Sequence, residues 1–144
     1  MLDFIIEKWA KNKDKLRERL ANTPQEKYAS YFWLLKIAIE EVLNGDSEYY
    51  EKFDTTDIET RRFGDYQGDY LFIFHEKDDY YPDIWEYYYT TVAYGSCSCC
   101  DTLEHILCCD GDDKGLPNEK QLNGYMTLCL HMLQRIKQFD DSED

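Results

Sequence analysis

The sequence predicts an α+β fold, and three observations carry that prediction. The first and last thirds of the chain repeat apolar residues every three to four positions. The middle third alternates every two and is rich in aromatic and β-branched residues. The changes of period fall at turn-forming residues, Asn44-Gly45 and the stretch "DGDDKGLPN". At 144 residues and 43% hydrophobic, the chain is long enough to bury one core.

Residues 2–20 place Leu2, Ile5, Trp9, Leu16 and Leu20 on one side of a helix. Lys11, Lys13, Lys15, Arg17 and Arg19 form its basic middle. "TPQE" at 23–26 opens a second helix: Thr23 caps, Pro24 suits the first helical position, and Glu26 completes a capping box. Tyr28, Phe32, Leu35, Ile39 and Val42 follow at helical spacing, and Asn44-Gly45 predicts the stop.

Residues 56–63, 69–76 and 85–93 read as a three-stranded antiparallel meander. "GDYQGDY" (64–70) is the first turn and "KDDYYPD" (77–83) a longer loop. In the third strand Trp85, Tyr87, Tyr89 and Thr91 share one face; Glu86, Tyr88, Thr90 and Val92 share the other. Neither face is cleanly polar, so either both are covered or one binds a partner.

A short helix is expected over 102–108, with Asp101 as cap and Glu104 three residues on. The loop at 110–118 leads to a long last helix, 118–139, whose core stripe is Leu122, Met126, Cys129, Leu133 and Ile136. Residues 1–139 then form a single domain, and "DDSED" (140–144) an acidic tail.

Composition narrows function. Lys plus Arg number 16 and Asp plus Glu 30, a net charge of −14. Such a chain repels free nucleic acid and anionic membrane and is drawn to basic surfaces, including another protein's nucleic-acid channel. The 13 tyrosines suit a contact surface. No export signal and no run of about 18 apolar residues is visible, so a reducing, cytoplasmic setting is expected. There, clustered cysteines point to metal or redox chemistry before disulfides.

Three of the six cysteines fall in "YGSCSCCD" (94–101). Cys97 and Cys100 form C-x-x-C at a helix start, a spacing that lets two thiolates reach one zinc, and the helix N-terminus favours thiolates. Cys108 and Cys109 follow Cys100 by roughly 12–14 Å of helix rise, too far for thiolates that must lie about 4 Å apart. Cys129, on the core stripe, reads as a small buried hydrophobe. His131 is off that stripe but inside the apolar span 125–133, where a polar ring needs a partner; a metal serves, and so does a carbonyl. The expected zinc (Zn2+) site is Cys97, Cys100 and His131, with the fourth group among Asp101, Cys99 and His105.

Catalysis has little support. HExxH is absent, and Ser96 precedes Cys97 where the deaminase pattern needs proline. A Cys–His nucleophile pair is conceivable, but three neighbouring cysteines suit a metal better. "DGDDKG" departs from a calcium loop at Lys114 and Gln121, and no phosphate loop or GxSxG is present. The chain reads as a binding protein rather than an enzyme.

"YGSCSCCDTL" (94–103) and "YMTLCLHMLQRIK" (125–137) resemble a family of small phage and prophage proteins of Gram-positive bacteria. That family carries YGSCSxCDTL after a Tyr-rich strand and a histidine in its last helix. The matching positions are Tyr94, Gly95, Ser96, Cys97, Ser98, Cys100, Asp101, Thr102, Leu103 and His131, with Cys99 at the variable position. The chain looks like a zinc-containing type II-A anti-CRISPR protein, an inhibitor of the nuclease Cas9. The resemblance implies an acidic protein docked on the positively charged nucleic-acid channel of Cas9, blocking target DNA loading without catalysis. Asp78, Asp79, Tyr80, Tyr81, Asp112, Asp113 and the tail are the expected contacts. Zinc would be structural, pinning the meander's end to the last helix. The alternatives are a metal-dependent phage enzyme acting on a nucleotide or host protein, and a phage accessory domain without catalytic activity.

Overall fold

The computed structural model describes residues 2–24, 31–45, 53–65, 67–76, 87–95, 103, 105–106 and 115–139. Helix α1 (Leu2–Ala21) buries Ile5, Asn12, Leu16 and Leu20. Two features of its expected stripe change. Leu2, in the first turn, is 50% exposed. Asn12 occupies a core position instead, because its amide Nδ2 donates to the Val42 carbonyl at 2.8 Å and so meets the partner that a buried amide requires.

Helix α2 (Tyr31–Ala38) runs into a π-helical turn, Ile39–Leu43, which no periodicity argument foresaw. The turn closes with the Asn44 N–H on the Ile39 carbonyl, 2.9 Å and five residues back. It stops where Asn44-Gly45 predicts. A Cβ on Gly45 would lie 1.9 Å from the Glu41 carbonyl oxygen, so the site excludes any side chain. Asn44 then acts as a short piece of strand. Its amide donates to the Phe53 carbonyl at 3.0 Å and its oxygen accepts the Phe53 N–H at 3.1 Å.

The sheet has four antiparallel strands in the order β1 (Glu59–Gly64), β2 (Gly68–His75), β3 (Tyr87–Tyr94) and β4 (Lys137–Gln138). The meander of the first three is as expected. The β1–β2 turn needs glycine twice: Gly64 has φ of 103°, and a Cβ on Gly68 would lie 1.7 Å from the Phe63 carbonyl oxygen.

The fourth strand corrects the expectation of three. The last helix, α3 (Glu119–Gln134), ends five residues before the predicted 139. Lys137 and Gln138 then pair with Tyr89 and Tyr88, and the Phe139 N–H bonds the Tyr87 carbonyl at 2.9 Å. Helix period alone cannot register this competitor: the open edge of β3 offers ladder partners, and the Phe139 ring packs 4.9 Å from Tyr89. At its start α3 has a capping box between Asn118 and Gln121.

One face of the sheet carries Phe72, Phe74, Tyr88, Thr90 and Val92 into the core, while Leu71, Ile73, Tyr87, Tyr89 and Thr91 on the other are half-buried. The stripe of α3 is buried as expected, Leu122, Met126, Cys129 and Leu133 within the helix and Ile136 just beyond it. Helix and sheet are joined by Thr90, whose hydroxyl donates to the Met132 carbonyl at 2.7 Å. Arg17 ties α1 to α3 through Asn123 and Glu119, at 2.9 and 2.8 Å. Arg19 ties α1 to Glu40 and Glu41, at 3.0 and 3.1 Å. Phe53 meets Phe74 and Tyr88 edge-on at 5.6 and 5.0 Å. Each fully buried ring of this kind contributes roughly 1.5–3 kcal/mol. No helix among the described residues is long and apolar enough to cross a membrane.

Candidate functional site

Of the cysteine motif, the described residues are Tyr94, Gly95 and Leu103. Cys97, Cys99, Cys100 and Asp101 lie outside them, and so do Asp78, Asp79, Tyr80, Tyr81, Asp112, Asp113 and the tail. The structure therefore defines a stem formed by the residues on either side of the motif.

Both ends of that stem rest on one run of aromatic rings. Tyr94 lies 4.7 Å from Tyr70, and Tyr70 lies 6.0 Å from Tyr31. The Tyr31 hydroxyl accepts the backbone N–H of Leu103 at 3.2 Å. Tyr94 is itself fixed. Its hydroxyl accepts from Arg62 Nε at 2.9 Å and donates to the Gly64 carbonyl at 2.9 Å, while the Arg62 guanidinium sits 5.2 Å over the ring. Leu103 and Ile106 are buried, Ile106 lying against Gly124, and the Ile106 carbonyl accepts from Gln121 Nε2 at 3.1 Å. Leu103, His105 and Ile106 are helical, in keeping with the expected short helix, and His105 faces outward.

His131 is exposed on the outer side of α3, between buried Cys129 and Met132. Its place in an apolar span suggests a ring in need of a partner, a metal or a carbonyl. The helix resolves that differently, turning Leu128, Cys129, Met132 and Leu133 inward and His131 to solvent.

Two thiolates, an imidazole and a carboxylate are donor types that suit zinc. Of these, the described residues include His131 alone, and among the described residues no group of three His, Cys, Asp or Glu is gathered to hold a metal. Cys129 is fully buried, and burial pushes its thiol up to about 12, which leaves it a packing residue at neutral pH.

A polar cluster lies at the end of β2. His75 Nδ1 faces the Glu76 carbonyl at 2.7 Å and Nε2 faces Asp57 Oδ2 at 3.2 Å. Asp54 Oδ2 stands 3.9 Å away. Both ring nitrogens face acceptors, so only the doubly protonated ring satisfies both. Burial alone pushes the ring's pKa down, but the bonds to Glu76 and Asp57 and the charges of Asp54 and Asp57 outweigh it, leaving a net upward shift. His75 falls near the end of the strand expected at 69–76, and Asp54 and Asp57 reach it only through the fold.

No family model matches this chain, and no curated protein or solved structure matches it either.

Proposed function

We propose that this protein is an anti-CRISPR protein that binds Cas9 at its basic nucleic-acid-binding surface and hinders loading of target DNA, without catalysis. The observation that carries this reading is the net charge of −14, with 30 Asp and Glu against 16 Lys and Arg. A chain so acidic, with Asp78, Asp79, Asp112 and Asp113 among its carboxylates, competes with DNA phosphates for a cationic channel. The resemblance around "YGSCSCCDTL" supports the same reading.

In this proposal a zinc ion held by Cys97, Cys100 and His131, with Asp101 as the fourth group, is a staple. It ties the segment after β3 to α3 and takes no part in inhibition directly.

The test is a DNA-cleavage and DNA-binding assay with purified, guide-loaded Cas9 orthologues, adding the protein before target. Loss of target binding that is relieved by salt is expected. Unchanged binding and cleavage across the orthologues removes the proposal.

A further inference from the structure

Strand β1 is an edge of the sheet, and no strand pairs with its outer side among the described residues. All six of its residues are exposed, it contains no proline, and its inner side is paired with β2 from Glu59 to Gly64. Such an edge presents free backbone N–H and C=O groups to another extended chain.

The side chains select which chain. In an antiparallel ladder, directly opposed residues point to the same face, and faces alternate along each strand. Two identical strands related by a twofold axis must therefore place that axis on a residue, not between two. An axis at Arg61 or Arg62 sets an arginine against itself, and an axis at Glu59 sets a glutamate against itself. An axis at Phe63 or Gly64 leaves most of the strand outside the overlap. An axis at Thr60 puts Glu59 of each copy opposite Arg61 of the other, twice over, and keeps Asp57 to Phe63 overlapped. The two side chains already reach one another along the strand, with Arg61 Nη2 at 2.7 Å from Glu59 Oε1.

We propose that β1 is the seam of a homodimer, two copies pairing antiparallel about Thr60 so that their sheets join into one. The axis stands perpendicular to the sheet, so the helices of both copies lie on one side of it. The half-buried face with Leu71, Ile73, Tyr87 and Tyr89 lies on the other.

Sedimentation equilibrium of the full chain at physiological salt, where charge repulsion is screened beyond about 8 Å, reads the assembly directly. A dimer is expected. Arg61→Glu sets like charges opposite at two places and is expected to weaken it by at least roughly tenfold. Glu59→Arg combined with Arg61→Glu restores the opposition and the dimer. Thr60→Cys is expected to cross-link to its own copy under mild oxidation, because opposed Cα atoms about 4.5–5.5 Å apart fall in the disulfide range. Glu59→Cys is expected to stay at the level of the parent protein. A monomer at every concentration, a double reversal as weak as the single, or equal cross-linking from both cysteine variants each overturns the proposal. Unchanged circular dichroism checks that the variants, all at exposed positions, remain folded.

Discussion

The hydroxyl of Tyr31 accepts the backbone N–H of Leu103 at 3.2 Å, across 72 residues of sequence. Both residues are buried, Tyr31 at 5% and Leu103 at 2% exposure. This one bond connects α2 to the far end of the cysteine segment, while the Tyr31 ring connects through Tyr70 to Tyr94 at its near end. Tyr31→Phe keeps the ring and leaves a buried N–H without that acceptor. The expected loss is about 1–3 kcal/mol in urea unfolding, with faster thiol labelling of the native protein. Labelling unchanged from the parent would show that the bond does not govern the segment.

Asn12 answers the Val42 carbonyl within the π turn. Asn12→Ala removes this donor from a buried site, and the buried Val42 carbonyl loses that partner. A destabilisation of about 1–3 kcal/mol is expected by denaturant titration. An exposed control on the same helix, Lys13→Ala, is expected to stay within about 0.5 kcal/mol.

His75 makes stability depend on pH with a definite sign. Its folded pKa is raised above the ordinary histidine value of 6.5. A raised cationic group contributes stability that is fully present below the unfolded pKa and is lost as pH rises through the folded one. The urea midpoint is therefore expected to fall from about pH 6 upward, as the ring loses a proton and gives up one of its two acceptors. His75→Gln flattens that slope if the ring is its source. A parent protein with no slope in that range would contradict the assignment.

The proposed zinc staple is tested by metal analysis and by substitution. About one zinc per chain is expected in protein purified without chelator. Cys97→Ser and Cys100→Ser are each expected to cost several kcal/mol, because binding of a structural metal is folding free energy. Cys129→Ala, at a buried thiol outside the proposed ligands, is expected to leave zinc content unchanged. Equal metal content in the Cys97 and Cys100 variants and the parent would remove the staple.

Much of the architecture was legible from the chain. The period of α1, α2 and α3, the alternation in β1 to β3, and the stop at Asn44-Gly45 all follow from local rules, because the residues that decide them are neighbours in sequence. The core stripe of α3, from Leu122 to Leu133, was readable for the same reason.

The misreadings share a cause. Leu2 reads as part of the core stripe of α1, yet it is exposed while Asn12 is buried against Val42 from 30 residues away. His131 reads as enclosed by Leu130 and Met132, yet a helix turns adjacent residues about 100° apart and sends the ring outward. The candidate metal ligands are only half a case for that reason: donor types are visible in a sequence, but convergence is not.

The amino-acid sequence by itself determined the α+β class, the order of the helices and of the first three strands, the net charge of −14 and the C-x-x-C motif. Each depends on composition or on residues within a few positions of one another. Tertiary structure decided the fourth strand, the Tyr31–Tyr70–Tyr94 stem, the acceptors around His75 and the open edge at β1. Those are pairings of backbone and polar groups from distant segments. Their partners are chosen by which surfaces the buried core brings within about 3 Å, and no local pattern records that choice.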